Sequence, residues 1–292
     1  MTAQPTLREL FTNPRFPRAS RYDARWVAEN QMGPNALWLT EWACEALTLE
    51  PGMRVLDLGC GRAMSSVYLA REHGVRVFAT DLWIAAADNW ARIRAAGVED
   101  LVTPIHAEAH ALPFAEGFFD AIVSVDAYTY FGTDDLYLSY ITRYLRPGGQ
   151  LAVVVPGLTH ELEGPPPDHL TRPQKNGAPF WEPDCAVFHS ADWWRRHWER
   201  AGAVEVTSVE ALEDGWRHWV DHERAVEASG LGVFPSMEEA LLADAGQTIG
   251  FVRAVARRPE TEADSASPHV WEPAFMSVVS DLLGGRDEGP SD

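Results

Sequence analysis

The sequence holds few cysteines, no long apolar run and little positive charge. Its three cysteines, Cys44, Cys60 and Cys185, are too few and too scattered for a disulfide framework or a four-cysteine zinc site. No stretch approaches the roughly 20 consecutive apolar residues of a membrane span, so no membrane partner is expected. Met1 to Arg8 lack a basic segment followed by an apolar run, which argues against a secretory signal and leaves the cytoplasm as the expected compartment. Only 24 Lys and Arg stand against 43 Asp and Glu, and the resulting formal net charge of −19 repels phosphate backbones and excludes a broad nucleic-acid footprint.

What is present suits one large α/β domain with added segments. The apolar share of 46% is ordinary for a folded chain of 292 residues. Residues 1–50 read as an N-terminal helical cap, with a helix over 34–47 carrying Trp38, Leu39 and Trp42 at helical spacing. From residue 54 to 156 short β-branched runs alternate with helical patterns. Strands are predicted at 54–58, 75–80, 102–105, 120–125 and 150–156, and helices at 63–73, 83–96 and 134–145. Such alternation specifies parallel strands joined by right-handed crossovers, hence an open, doubly wound sheet that binds ligands beyond its carboxyl edge. Further elements, helix 190–201, strand 204–212, helices 213–229 and 236–245 and strand 248–257, complete a domain over 51–258. Insertions 157–190 and 213–247 are expected near an acceptor pocket. The last segment, 259–292, carries eight acidic residues and only Arg286 as a base, and reads as an acidic, partly disordered tail with 270–283 apolar enough to dock.

The chemistry-bearing residues begin where the first strand ends. Gly59-Cys60-Gly61 is a glycine turn entering a helix, a place where backbone can approach a ligand closely. A dinucleotide site would continue Gly-x-Gly-x-x-Gly, but Met64 holds the third position, which weighs against a nicotinamide-dependent oxidoreductase. Val55-Leu56-Asp57-Leu58-Gly59-Cys60-Gly61 instead resembles the first motif of class I S-adenosylmethionine-dependent methyltransferases. The likeness is to their small-molecule branch, which includes ubiquinone and menaquinone biosynthesis enzymes, with some similarity to relatives of cyclopropane fatty-acid synthase.

This resemblance extends over 51–156 and implies a Rossmann-like, mostly parallel seven-stranded sheet and S-adenosyl-L-methionine as cofactor. It implies that Gly59, Cys60 and Gly61 face the methionine portion and that Asp57 orders the loop or the amino group. Asp81, about twenty residues on, would accept from the ribose diol, with Leu82 and Trp83 beside the adenine. Ala107-Glu108-Ala109-His110-Ala111-Leu112-Pro113-Phe114 resembles the adenine-side loop, so Glu108 and the Ala109 backbone are candidate base contacts. The edge Ser124-Val125-Asp126-Ala127-Tyr128 would hold the methionine moiety and face the acceptor. Asp126 and Tyr128 are candidate catalytic groups, with His189 a candidate base from the insertion.

Other features carry two readings. His218 and His222, four apart on one helix, lack a recognisable third ligand, and no metal is expected. Trp193, Trp194, Trp198, Trp216 and Trp219 either wall an acceptor pocket or pack in a core, and Tyr22 and Asn35 are weaker pocket candidates. The partner expected is a small-molecule acceptor with an oxygen, nitrogen or carbon nucleophile; an oligomer is allowed but not indicated. The competing function is a non-catalytic S-adenosylmethionine-binding module, and behind it the oxidoreductase.

Overall fold

The computed structural model describes residues 5–260. Its centre is a seven-stranded sheet built from β1 (Arg54–Leu58), β2 (Arg76–Asp81), β3 (Val102–His106), β4 (Phe119–Val125), β5 (Leu145–Leu158), β6 (Glu205–Ala211) and β7 (Ile249–Arg257). The order is β3-β2-β1-β4-β5-β7-β6, parallel from β3 through β5, with β7 antiparallel to both β5 and β6. The parallel strands are continuous apolar runs because helices cover both faces.

Alternation along β1 sorts its side chains between the two layers. Val55 joins the layer containing the helix Met64–His73 and the N-terminal residues Phe16, Trp38 and Trp42. Leu56 and Leu58 join the opposite layer with Ile122, Trp194 and Trp198. Asp57 shares the face of Val55 and therefore points at the start of the helix Met64–His73. Strand order reverses between β1 and β4, and this is where a crevice opens at the carboxyl edge of such a sheet.

The predicted strands and most helices are present within a few residues. Two expectations change. The helix expected at 134–145 is broken into Thr129–Gly132, Tyr137–Ile141 and a 3-10 turn, Thr142–Tyr144. Its terminal carbonyls are claimed from outside the helix: the Gly117 amide donates to the Arg143 carbonyl and the Arg258 guanidinium to those of Arg143 and Leu145. The fifth strand begins at Leu145 rather than 150, since Leu145 pairs with Phe119 across a register shift. The expected docking of 270–283 lies outside the described residues.

Candidate active site

A cavity of about 280 Å³ opens beyond the carboxyl ends of β1, β2, β3 and β4. After β1 the chain turns through Gly59 and Gly61 at φ of 75° and 51°. A Cβ on Gly59 would stand 2.4 Å from that of Ala127, so the turns after β1 and β4 approach as closely as glycine alone permits. The Gly59 and Cys60 amides both donate to the Thr80 carbonyl at 2.9 Å, and Asn89 Nδ2 donates to the Gly61 carbonyl at 2.8 Å. The turn is thus held by the end of β2 and by Asn89.

Asp57 is fully buried and does not reach the cavity wall. Its Oδ2 accepts from the Ser65 and Ser66 hydroxyls at 2.6 and 2.5 Å, while Oδ1 has no partner among the described residues. Burial pushes its carboxyl up to about 6 against the opposing pull of those hydroxyls. Asp57 is thereby tied to the first turn of the helix that follows the glycine turn.

Asp81 ends β2 on the cavity wall with its side chain turned inward, 9% exposed. One carboxylate oxygen accepts the Gly61 amide at 2.8 Å and the other accepts the Trp83 and Ile84 amides, each at 2.8 Å. Leu82 and Trp83 follow at the mouth, where the Trp83 ring is 70% exposed and 5.8 Å from that of Tyr130. Glu108 and Ala109 line the next side. The Glu108 carboxylate accepts from His110 Nδ1 at 2.7 Å, and this hydrogen bond holds it below the usual carboxylate range.

Asp126 stands in the left-handed region at φ 58°, directly after β4. That conformation is unusual for a residue with a side chain, and here it presents the carboxyl to the cavity. The carboxyl has no hydrogen-bond partner among the described residues, and burial pushes it up to about 8. The segment Asn30, Met32, Gly33 and Pro34 closes the wall above it.

Other expected site residues go elsewhere. Tyr128 is fully buried, packed by Phe131, Tyr137, Trp194 and Trp198, and does not line the cavity. The helical turn Thr129–Gly132 directs its ring back into the core, so the assignment as a catalytic group is corrected. His189 is likewise absent from the wall: it hydrogen-bonds Glu161 at 3.1 Å and stacks at 3.6 Å on Trp193. Trp194, Trp198 and Trp219 are buried packing residues, and none of the five tryptophans reaches the cavity. Neither insertion supplies a wall residue, and Tyr22 and Asn35 supply none either. His218 Nδ1 pairs with Asn13, and His222 Nε2 donates to the Gly33 carbonyl at 3.1 Å. Sequence reasoning missed Asn89, Met32 and Gly33, which no motif marks; only the Gly33-Pro34 dipeptide, a turn signal, could have drawn attention to that segment.

The donor set suits a cationic nucleoside better than a pyrophosphate. Asp81, Glu108 and Asp126 place acids around the cavity, and the Arg62 guanidinium points away to the Glu29 carbonyl at 2.9 Å. Residues 56–153 match the family described as "Methyltransferase domain". The fold and the glycine turn after β1 agree with this match, which covers about a third of the chain.

Among relatives, the chain is 34% identical to "Methyltransferase GfsG" of Streptomyces halstedii over 118 residues, 39% of this chain and 42% of the relative. It is 35% identical to "Demethylmenaquinone methyltransferase" of Mycobacterium sp. (strain KMS) over 140 residues, 46% and 54% of the two chains. The chain therefore spans about half the length of the curated relatives it matches. Similar solved folds include the [4+2]-cyclase SpnF, with TM-score 0.59 and 20% identity over 80% of this chain and 84% of that one. The geranyl diphosphate C-methyltransferase from Streptomyces coelicolor A3(2) aligns with TM-score 0.55 and 20% identity over 75% and 78%.

Proposed function

We propose that this protein transfers the methyl group of S-adenosyl-L-methionine to an oxygen, nitrogen or carbon nucleophile of a small molecule. The observation that carries the reading is a single cavity shared by the glycine turn, Asp81, Glu108 and the free carboxyl of Asp126. Bound there, the cofactor supplies a methyl group on a cationic sulfur. The chain's part is to bind, orient and keep water out.

Gly59, Cys60 and Gly61 offer close backbone approach, held by Thr80 and Asn89. Asp81 retains acceptor capacity on its cavity side for a ribose hydroxyl, and Leu82, Trp83, Glu108 and Ala109 form the adenine side. Asp126 is the candidate proton acceptor: its carboxyl opens on the cavity and, once ionised as pH rises through about 8, can take a proton from a hydroxyl or ammonium. The wall above it, Met32, Pro34, Tyr130 and Phe131, favours an acceptor with an apolar or aromatic body.

A small-molecule partner also agrees with the curated relatives, one of which is named for demethylmenaquinone. The net charge of −19 supports a partner list without nucleic acid. Among the described residues no helix is long and apolar enough to cross a membrane, and Cys44, Cys60 and Cys185 are free and buried, which agrees with a reducing, cytoplasmic setting. We read the domain as 51–258, capped by 1–50 and followed by the tail 259–292. Calorimetric titration tests the reading: S-adenosyl-L-methionine should bind with one site per chain, and NAD binding without response to S-adenosyl-L-methionine would overturn it. Because one similar fold belongs to a protein titled as a cyclase, transfer of a labelled methyl group to a panel of hydroxylated, amino and enolic acceptors is the accompanying measurement.

A further inference from the structure

The histidine at 222 is buried, is not itself on the cavity wall, and has a hydrogen bond that ends at the cavity. His222 sits on the helix Gly215–Ser229, 1% exposed, with the Phe11 and Trp38 rings edge-on to its imidazole. Its Nε2 donates to the Gly33 carbonyl at 3.1 Å, and its Nδ1 has no partner among the described residues. A ring so placed is neutral with its proton on Nε2, because burial pushes it down to about 4. On the other side of Gly33 lies Asp126: a Cβ added to Gly33 would stand 2.5 Å from its Oδ2. Gly33 is outside the left-handed region, so its lack of a side chain answers to this contact and not to backbone conformation.

We propose that His222 is a positioning residue that, by holding the Gly33 carbonyl, keeps the Gly33 main chain pressed over the Asp126 carboxyl, shields that acid from water, and so sets how strongly the site favours a cationic sulfonium over the neutral thioether left after transfer. This rests on the methyltransferase reading and adds to it the control of cofactor against product. The neighbouring groups leave that role to Asp126. Of the titratable groups on the cavity wall, Asp81 is occupied by three amides and Glu108 by His110, Arg62 turns to Glu29, and the Cys60 thiol is raised by burial. Tyr130 is raised by burial first and then by the Asp126 charge, and stays neutral over the same range.

The experiment compares the affinities of S-adenosyl-L-methionine and S-adenosyl-L-homocysteine by calorimetry between about pH 6 and about pH 9.5. The two ligands share nucleoside, amino and carboxylate groups and differ at the sulfur, so the ratio of their affinities isolates the charge there. In the native chain the preference for the sulfonium should rise by about tenfold as pH increases through about 8 and Asp126 ionises. In Asp126→Asn the ratio should be flat. In His222→Phe, which lacks the donor, the segment lifts, water reaches the carboxyl, and the rise should move to below the tested range. His222→Gln, which keeps a donor, should restore a midpoint near the native one.

Should His222→Phe fail to fold, Gly33→Ala serves, since its methyl displaces the carboxyl and should also abolish the native step. A native midpoint retained in His222→Phe, or in Gly33→Ala, overturns the proposal, as does a pH step that survives in Asp126→Asn. Binding of neither ligand by the native chain would instead bring down the methyltransferase reading on which the proposal stands.

Discussion

The carboxylate of Asp81 accepts the backbone amide of Gly61 at 2.8 Å, tying the end of the second strand to the turn after the first. One side chain thereby serves the shape of two walls. Asp81→Ala removes a charged acceptor from three part-buried amides as well as from the proposed ligand, and charge-assisted hydrogen bonds of this kind are worth about 1.5–3 kcal/mol each. Affinity for S-adenosyl-L-methionine should fall by more than about tenfold, with Asp81→Asn intermediate. Calorimetry on the folded variants checks this, and native affinity in Asp81→Ala would remove Asp81 from the site.

The two glycines at 59 and 97 make a matched comparison, with φ of 75° and 66°. An alanine at 97 meets nothing within 4 Å and should cost only the backbone penalty, about 1 kcal/mol. At 59 the same methyl meets Ala127 at 2.4 Å, so Gly59→Ala should cost about 1–3 kcal/mol more and weaken cofactor binding in the fraction that folds. Urea unfolding of both variants measures the difference. Equal losses would mean that the turns after β1 and β4 do not constrain one another.

Asp57 predicts a pH dependence of stability. Its carboxyl is raised from 3.8 to about 6 by burial, so the folded state favours the protonated form. That contribution is complete below about pH 4 and is lost as pH rises through about 6. Asp57→Asn keeps an acceptor for Ser65 and Ser66 and cannot ionise. Relative to this variant, the native chain should lose on the order of 2–3 kcal/mol between these limits. Denaturation midpoints that run parallel for the two proteins across the range would contradict it.

Tyr128 separates packing from catalysis. Its hydroxyl is buried without a partner among the described residues, and Gly132 leaves room for its ring, since a Cβ there would stand 1.9 Å away. Tyr128→Phe should leave cofactor affinity and methyl transfer unchanged and match or exceed native stability by up to about 1 kcal/mol. Tyr128→Ala should lose about 3–5 kcal/mol through the cavity it opens. A large drop in turnover for Tyr128→Phe at native stability would return the residue to the chemistry.

The wall formed by the strand ends is legible from sequence because it is local. Gly59, Gly61, Asp81 and Glu108 each fall at or just after the end of a strand that its own apolar run announces, and the topology alone carries those ends to one edge. The wall contributed from ahead of β1 is not legible in this way. Gly33 and His222 meet across 189 positions, and nothing in either neighbourhood records the other. Tyr128 is expected from its place after β4 and His189 from its place in the insertion, but the turn Thr129–Gly132 and packing on Trp194 direct the first ring, and the stack on Trp193 the second. Of the tryptophans on Ala191–Ala201, Trp194 and Trp198 follow the commoner rule for amphipathic helices and turn inward, while Trp193 is half-buried.

The cavity wall is assembled from two unequal sources. One part comes from residues 58–62, 64–65, 80–83 and 107–110, which lie within the matched stretch, whereas Asn30, Met32, Gly33, Pro34 and Ala36 come from ahead of it. On the proposed reading, substitutions in that short leading stretch would therefore alter which acceptors are admitted while leaving the glycine-turn wall as it is, provided position 33 stays bare.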